Sequence, residues 1–527
     1  MSERHIPVLI VGGSLVGLST SALLAHHGVP HLLVEHHRGT AIHPRAASFH
    51  QRTMEIFRSV GLQAAVEEKA AAEFVQNGAI MAVESLGGKE LVYFFHSYNE
   101  GVEGLSPTDR LFVTQVGLEP VLRDHAVELG AEHLFSTELV SFEEHEDHVR
   151  SVIRPRDGGE EQVITSDYLV AADGAHSGIR EQLGLAMTGR GSFADCVTIY
   201  FKADVRHLIG DRNLSVVYVN HPEMLAFFRF SITGDSGFLA VFSTTAADGT
   251  KDTQVGDDIS TERCIELVRT ALGGAPDLPV EVENVQRWSA SADTATTFRK
   301  GRVFLAGDSA HTMPPTGGFG GNTGVADAHN LAWKLALVTQ GVAGPGLLDT
   351  YAIEREPIAA LTVEQAYTRY VLRVDPSLPQ DDLQQPLDDA SIELGAVYRS
   401  TAVHETGSPA APLDDPRSAS WAPGTRMPHH PITLHGQEAS TVDVVRHGFA
   451  LMVSDAEDAW RAAAEKVGES LGLPIAVHPI GADVTGWSGA ALVRPDGVVA
   501  WRTSDPADTA ELEGVLAGLL SVPAGSR

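Results

Sequence analysis

The chain has 527 residues, of which 43% are hydrophobic and 20% charged, a composition typical of soluble globular proteins with about three domains. Its 69 Asp and Glu residues against 38 Lys and Arg residues give a formal net charge of −31, and this negative field repels nucleic acid and anionic membranes. The only cysteines, Cys196 and Cys264, form no CxxC pair, which argues against a disulfide framework or a cysteine metal site. The composition predicts a cytoplasmic protein without a transmembrane span, a metal or a nucleic-acid partner.

The chain opens with a βαβ unit. Residues 6–11 (IPVLIV) predict a buried strand, residues 15–27 a helix that ends at Gly28, and residues 31–35 a second strand. This spacing implies two parallel strands joined by a right-handed crossover.

The stretch VGGSLVG between the first strand and the helix can be interpreted in two ways. Gly12, Ser14 and Gly17 occupy the positions of a Gly-x-Gly-x-x-Gly dinucleotide loop, but Gly12 and Ser14 also begin the Gly-x-Ser-x-Gly of a hydrolase nucleophile elbow. The elbow needs a glycine where this chain has Val16, so we favour the phosphate loop, with Glu35 at the end of the next strand to accept from a ribose. Ser14 leaves two alternatives open: a strained positive φ, or a negative φ with a hydroxyl that donates to phosphate.

Later segments continue the α/β pattern. They are, in chain order, a helix at 116–129, several strands within 138–171, an antiparallel sheet at 190–245, a buried strand at 302–306, long helices at about 323–340 and 347–373, a Pro-, Asp- and Ser-rich connection at 374–432, and a small α/β domain that closes with a helix at 507–520.

The buried strand at 302–306 delivers Asp308 to its carboxyl end, where open α/β sheets bind ligands. Four glycines follow at 317, 318, 320 and 321, just before a helix that we expect to start near Asn322. Bare backbone at a helix N-terminus can turn its N–H groups toward an electron-rich ring.

Three stretches resemble the FAD-dependent aromatic hydroxylases of the para-hydroxybenzoate hydroxylase type, which are group A flavoprotein monooxygenases. They are GGSLVG with Glu35; the sequence DGAHS from Asp173 with Arg180, similar to the family's DG motif; and Gly307-Asp308 with the glycine loop, similar to its GD motif. The resemblance is greatest to the larger bacterial hydroxylases of aromatic polyketides, which carry a thioredoxin-like C-terminal domain, and it covers nearly the whole chain.

The resemblance implies an α/β fold class with a discontinuous Rossmann-like FAD-binding domain, an interleaved antiparallel β-sheet domain for the substrate and a thioredoxin-like C-terminal α/β domain. The boundaries that we expect are 1–75, 105–180 and 290–395 for the first, 76–104 and 181–289 for the second, and 400–527 for the third. Because the last domain lacks both cysteines of the redox motif, we expect it to be structural or to close the substrate cleft.

The resemblance also implies the residues that bind cofactors. The ADP half of FAD is expected at Gly12, Ser14, Leu15, Val16, Gly17 and Glu35, the ribityl chain at Asp308, the isoalloxazine at Pro315, Gly318, Gly320, Gly321 and Asn322, further flavin contacts at Arg45 and Gln115, and a bridge between FAD and the nicotinamide cofactor at Asp173 and Arg180. His311, next to the GD motif, is expected to be packing rather than a base.

The implied chemistry is hydroxylation. NADPH or NADH reduces bound FAD, O2 adds at C4a, and the flavin C4a-hydroperoxide transfers its distal oxygen to an electron-rich aromatic carbon of a polycyclic phenol. The phenol needs a base, a cation or a hydrogen-bond acceptor nearby, in a pocket that excludes water. We expect Arg373, Tyr370 and Tyr218 to take part in catalysis, and Tyr218, His221, Phe228 and Phe230 on the sheet to contact substrate, with sheet core as the alternative for each.

Other functions remain open from the sequence. The same flavin chemistry could carry out Baeyer–Villiger, ring-cleaving or decarboxylating oxidation, and a flavin-binding accessory protein without turnover is the non-enzymatic alternative. The substrate itself, the choice between NADPH and NADH, and a monomeric or dimeric state are not defined by the sequence.

Overall fold

The computed structural model describes residues 3–42, 47–246, 248–255, 259–273, 277–404, 410–434, 436–446 and 448–522. Its strands are β1 (Glu3–Val11), β2 (His31–Val34), β3 (Ser48–Phe49), β4 (Ala79–Val83), β5 (Glu90–Phe95), β6 (Leu111–Phe112), β7 (Glu132–Leu134), β8 (Thr137–Glu144), β9 (Val149–Pro155), β10 (Gln162–Ala171), β11 (Met187–Lys202), β12 (Leu214–His221), β13 (Met224–Phe230), β14 (Ser236–Thr245), β15 (Lys251–Asp252), β16 (Glu281–Ala295), β17 (Arg299–Lys300), β18 (Val303–Leu305), β19 (His311–Thr312), β20 (Pro431–Leu434), β21 (Gln437–Ser440), β22 (Phe449–Val453), β23 (Ile475–Pro479), β24 (Ala490–Val493) and β25 (Val499–Thr503).

The α-helices are α1 (Leu15–His26), α2 (Gln51–Ser59), α3 (Gln63–Glu73), α4 (Gln115–Glu128), α5 (Gly178–Gln182), α6 (Arg206–Ile209), α7 (Thr261–Leu272), α8 (Phe319–Thr339), α9 (Asp349–Arg373), α10 (Asp389–Leu394), α11 (Glu457–Leu471), α12 (Ala482–Thr485) and α13 (Thr509–Leu519). Short 3-10 turns lie at Gly307–Ser309, Pro345–Leu348, Pro416–Ser418 and Thr441–Val445. In this described part of the chain, no helix is long and apolar enough to cross a membrane.

The first sheet runs in the order β17-β18-β10-β1-β2-β7, and β8 and β9 extend it from β10. Strands β18, β10, β1, β2 and β7 are parallel, which confirms the predicted βαβ opening. Val8, Leu9 and Ile10 of β1 are fully buried, as expected for a parallel strand with helices on both faces. The carboxyl ends of β1, β10 and β18 therefore meet at one edge, and each is followed by one of the three motifs.

The second sheet runs in the order β19-β16-β11-β14-β13-β12-β4-β5, with β15 on β14, and its pairs are antiparallel apart from β12 with β4. Helix α7 packs on one face through Leu267 and Val268, whereas Tyr370 and Val371 of α9 pack on the other. The predicted antiparallel sheet is confirmed, and both of its faces are covered.

The C-terminal unit contains a sheet in the order β23-β22-β24-β25, which confirms the predicted small α/β domain. Its tight turn after β24 packs against α8 and α9. Arg494 is fully buried there, pairs with Asp496 and donates from Nη1 to Glu354 on α9 at 2.6 Å. Glu354 also accepts from Lys334 on α8 at 2.8 Å, so a buried charge cluster joins the two units.

Helix α8 begins earlier than the sequence predicts. We expected a start near Asn322, but the helix starts at Phe319, so Gly320 and Gly321 lie in its first turn rather than in the preceding loop. Because glycine weakens a helix interior, the sequence rule places the start of the helix after the last of the four glycines. The boundaries proposed for the three domains stay predictions.

Candidate active site

The loop after β1 is built by close backbone contacts. Gly12 has a φ of +106°, and a Cβ added there would lie 2.6 Å from the carbonyl carbon of Ala172 at the end of β10. A Cβ on Gly17 would overlap the carbonyl oxygen of Gly12. Both positions therefore require glycine. Ser14, in contrast, has a φ of −95°, so the alternative of a strained serine is wrong.

The Ser14 hydroxyl is held by two side chains of helix α4. It donates to Glu119 Oε1 at 2.6 Å and accepts from Gln115 Nε2 at 3.2 Å. Glu119 is fully buried, and its other oxygen accepts from the Ala41 N–H at 2.6 Å. Burial raises the pKa of the Glu119 carboxyl above its usual range. The predicted Gln115 thus lies at the loop, and Arg45 lies outside the described residues.

Glu119 was missed from the sequence. The available signal was its spacing, because residues four apart share a face of a helix and Gln115 was already a candidate.

Glu35 lies where the sequence places it, beside the loop at the end of β2. Its Oε2 accepts from the Gly13 N–H at 2.6 Å and its Oε1 from the His37 N–H at 2.7 Å. Only 5% of Glu35 is exposed. The carboxylate therefore fixes the shape of the glycine loop.

Arg180 connects the second motif to the third. Its guanidinium donates to the carbonyl oxygens of Ser309 and Ala175, both at 2.9 Å. Asp173 accepts from the Ile179 N–H at 3.3 Å through Oδ2, whereas its buried Oδ1 has no hydrogen-bond partner among the described residues. Burial raises the pKa of the Asp173 carboxyl. A buried, half-satisfied carboxylate at this edge is a candidate contact for a ligand.

The third motif meets the first. Gly307 begins a 3-10 turn with a φ of +65°, and a Cβ there would lie 2.6 Å from Cγ2 of Val16. The side chain of the next residue, Asp308, is exposed at the carboxyl edge of the sheet. Motifs about three hundred residues apart in sequence thus form one continuous wall.

The glycine-rich loop leads directly into α8. Gly317 and Gly318 have φ values of +91° and +69°, and the Gly318 N–H donates to the carbonyl oxygen of the exposed Pro315 at 2.9 Å. No side chain caps the helix, so its first N–H groups face outward from the loop.

The Asn322 side chain makes four hydrogen bonds within the protein. Its Oδ1 accepts from the His50 N–H at 2.9 Å and from Thr53 Oγ1 at 2.7 Å, and its Nδ2 donates to the carbonyl oxygens of Ser48 at 2.9 Å and Gly318 at 2.7 Å. Asn322 therefore fastens the segment before α2 to the glycine-rich loop.

These residues fit FAD. The glycines leave bare backbone at two helix N-termini. Two carboxylates lie at the same edge, a buried one at Glu35 and an exposed one at Asp308. The buried Oδ1 of Asp173 has no hydrogen-bond partner among the described residues. Two family matches then identify the chain: one described as an FAD binding domain covers residues 5–366, and one described as aromatic-ring hydroxylase, C-terminal, covers residues 420–523.

The chain belongs to the FAD-dependent aromatic-ring hydroxylases. This hydroxylase is 45% identical to 4-methyl-5-nitrocatechol 5-monooxygenase of a Burkholderia species, over 97% of this chain and 96% of that protein. It is 37% identical to aklavinone 12-hydroxylase RdmE of Streptomyces purpurascens, over 99% and 100% of the two chains. A solved ternary complex of aklavinone-11 hydroxylase with FAD and aklavinone matches with a TM-score of 0.91 and 36% identity, over 99% of this chain and 100% of that one.

These similarities confirm an FAD-dependent monooxygenase that uses O2 and a nicotinamide reductant, and they disfavour the accessory-protein alternative. The α/β fold class is confirmed as well.

Two of the predicted catalytic residues lie near each other. Arg373, half-buried at the end of α9, is close enough to Tyr218 on β12 for its positive charge to act on the Tyr218 hydroxyl. The Phe94 ring contacts both: its centroid lies 5.6 Å from the guanidinium carbon and 5.8 Å from the Tyr218 ring. Burial raises the pKa of Tyr218, so its hydroxyl stays protonated at neutral pH.

Tyr370 lies one turn before Arg373 but in a different environment. It is 1% exposed and lies with Cys196 in one buried cluster. The Phe193 and Phe242 rings contact it with centroids 5.0 and 5.6 Å away. Burial raises the pKa of Cys196 to about 12. The structure therefore places Tyr370 inside the aromatic core beneath α9, away from the Arg373 and Tyr218 pair.

The structure places three of the predicted substrate residues on the face of the sheet that packs under α7, and their contact with substrate stays a prediction. Phe228 is fully buried against Phe201, and Phe230 packs on the same core under α7. His221 pairs in register with Met224 of that core and accepts from the Glu223 N–H. Tyr218 and its partner Phe227 lie on the opposite face, toward α9.

The sequence does not distinguish the two faces of this sheet. Because helices cover both faces, the strands lack the alternation of polar and apolar residues that normally separates an inner face from an outer one.

His311 is 1% exposed, and its Nε2 lies 2.7 Å from Asp327 Oδ2, which agrees with the predicted packing role.

Proposed function

We propose that this hydroxylase adds one oxygen atom to a phenolic polycyclic substrate that lies between the glycine-rich loop and the end of α9. The observation that carries the proposal is the cluster of Arg373 and Tyr218 around the Phe94 ring, which lies 5.6 Å from the Arg373 guanidinium carbon and 5.8 Å from the Tyr218 ring. Thr316 Oγ1 donates to the Ala366 carbonyl oxygen at 2.7 Å, so the glycine-rich loop contacts the middle of α9. Arg373 follows Ala366 by seven residues, which is about 10 Å along a helix. A fused ring system can reach across that span.

We assign FAD to the edge where the three motifs meet. The ADP half is assigned to Gly12, Ser14, Leu15, Val16, Gly17 and Glu35, the ribityl chain to Asp308, the isoalloxazine to Pro315, Gly318, Gly320, Gly321 and Asn322, a further contact to Gln115, and the approach of the nicotinamide donor to Asp173 and Arg180. The bare backbone of the glycines and the carboxylates of Glu35 and Asp308 support this assignment.

Bound FAD, once reduced by the nicotinamide donor, supplies the activated oxygen. The residues of the chain prepare the substrate for it. The positive charge of Arg373 lowers the pKa of a phenol beside it and so enriches the aromatic ring in electron density. Tyr218 stays protonated beside Arg373 and adds no negative charge that would offset it. The aromatic side chains of Phe94 and Phe227 around this pair keep water out.

The test is substrate-stimulated oxidation of NADPH and of NADH, measured with tri- and tetracyclic phenols, and product mass. One added oxygen on an intact carbon skeleton supports hydroxylation, whereas ring insertion, ring cleavage or loss of CO2 would support the alternatives. We expect Arg373→Met to lower kcat/KM by roughly 10²-fold at neutral pH with the flavin spectrum unchanged, and to recover partly at a pH where the phenol ionises unaided.

The matched control is Arg461→Met, because Arg461 lies on α11 with a side chain that is 52% exposed. It should leave kcat/KM within about twofold. A wild-type pH profile in Arg373→Met would contradict the role of Arg373.

A single-ring nitrocatechol is a second candidate substrate. Two observations favour it: the 45% identical relative is a 4-methyl-5-nitrocatechol 5-monooxygenase, and Phe193, Phe242 and Tyr370 fill much of the sheet face beneath α9. Substituted catechols belong in the same panel. Faster coupled turnover with a catechol than with any polycycle would decide for this candidate.

A further inference from the structure

A buried carboxylate on α8 lies directly behind the GD motif. The side chain of Asp327 is fully buried, and its Oδ2 accepts from the Gly307 N–H at 3.1 Å and from His311 Nε2 at 2.7 Å. Its Oδ1 accepts from Arg355 Nε on α9 at 2.8 Å. One carboxylate thus collects three donors from three different segments.

Arg355 fixes this carboxylate from the other side. It donates from Nη1 to the Tyr398 hydroxyl at 2.9 Å and from Nη2 to the carbonyl oxygen of Thr323, one turn before Asp327, at 3.2 Å. The charges of Arg355 and His311 outweigh burial and lower the pKa of Asp327, which therefore stays ionised at neutral pH. A fixed, ionised acceptor strengthens its bond to a backbone N–H relative to a neutral acceptor.

The Gly307 peptide that Asp327 holds determines where the next side chain points. Gly307 has a φ of +65°, and Val16 on α1 leaves no room for a side chain there. Asp308 follows it directly and is exposed at the edge of the sheet. A turn of this kind needs an acceptor for its first N–H, because an unsatisfied buried N–H is costly.

We propose that Asp327 is a positioning residue for flavin binding: through the Gly307 N–H it fixes the turn that aims Asp308 at the ribityl chain. This inference rests on the proposed role of Asp308. It adds a residue that lies behind the site and contacts no cofactor itself.

Asp327→Asn tests the bond to Gly307 specifically. Arg355 can only donate, so the amide oxygen must face Arg355, and the amide N–H2 group then faces the Gly307 N–H. The turn loses its acceptor while the volume of the side chain is kept. We expect the Kd of the apoprotein for FAD, measured by quenching of flavin fluorescence, to rise roughly tenfold.

Glu354→Gln is the matched control. Glu354 is another buried carboxylate, on α9, that pairs with Lys334 and Arg494 and makes no contact with Gly307. Both variants should lower the thermal stability of the apoprotein, but Glu354→Gln should leave the Kd for FAD within about threefold. Equal changes in Kd for the two variants would overturn the inference.

A double-mutant cycle with Asp308→Ala separates the two proposals. If Asp327 acts through Asp308, Asp327→Asn should change the Kd less than about twofold in the Asp308→Ala background. Additive losses would overturn the inference and leave the role of Asp308 intact, whereas no effect of Asp308→Ala alone would overturn that role itself. If Asp327→Asn does not fold, Asp327→Leu/Arg355→Met takes its place in the cycle, because it removes the acceptor of the Gly307 N–H and leaves no buried charge unpaired.

Discussion

Replacing Gly17 by alanine tests whether close packing of α1 on β1 creates the dinucleotide loop. The added Cβ would overlap the Gly12 carbonyl oxygen and lie 2.9 Å from its carbonyl carbon. Gly12 cannot move away easily, because its N–H donates to the Val34 carbonyl oxygen at 2.9 Å. Its backbone, with a φ of +106°, also has few alternative conformations that keep this bond. Helix α1 must therefore move away from the loop.

Overpacking of this kind costs about 1–3 kcal/mol, against about 1 kcal/mol that alanine gains over glycine in a helix. The net loss falls on the conformation that binds FAD, so we expect Gly17→Ala to weaken FAD binding roughly tenfold. The assay is FAD titration of the apoprotein, together with its thermal unfolding. Gly514→Ala in α13 is the control, since nothing lies within 4 Å of its Cβ position, and it should stabilise the protein. Unchanged FAD affinity in Gly17→Ala would refute the reasoning.

Two further predictions concern the loop and the acid stability of the protein. Ser14→Gly removes one donor from Glu119, which keeps its bonds to Ala41 and Gln115. Turnover should therefore persist, and the Kd for FAD should change less than about threefold. A loss of turnover with FAD still bound would contradict this prediction. Burial lowers the pKa of His329 to about 3 from 6.5, so the folded state keeps it neutral. Above pH 6.5 His329 is neutral in both states and costs no stability. Between pH 6.5 and 3 only the unfolded state takes up the proton, so the free energy of unfolding falls by about 1.4 kcal/mol per pH unit because of this group. His329→Gln should lose this part of the pH dependence. Parallel curves for the two proteins would exclude His329 as the cause.

The sequence predicts the fold of this chain well where the backbone requires particular residue types, such as glycine in a tight loop. The strand of residues 6–11, the helix after it and Glu35 define a βαβ unit, and the structure confirms it because a glycine loop followed by a helix has few alternative folds. Residues 190–245 likewise form the antiparallel sheet that their β-branched and aromatic residues predict.

The sequence predicts the site less well where contacts between distant elements decide it. Glu119 and Asp327 are ordinary carboxylates in helices, and only their neighbours in space, Ser14 and Gly307, give them a role. The face that a strand residue occupies is also hidden when helices cover both sides, so the sequence could not show that Phe228 packs under α7. The catalytic roles of Arg373 and Tyr218 stay predictions, and the structure adds that both residues contact Phe94.

The buried cluster of Glu354, Lys334 and Arg494 also constrains the order in which the protein can mature during synthesis. Glu354 precedes Arg494 by 140 residues, which a ribosome needs roughly ten seconds or more to add. During that interval Lys334 alone can balance Glu354, since it has already been made. The charge cluster between α8 and α9 is therefore complete only when the C-terminal unit has been made. A nascent chain that stops before Arg494 retains Glu354 without the guanidinium that pairs with it.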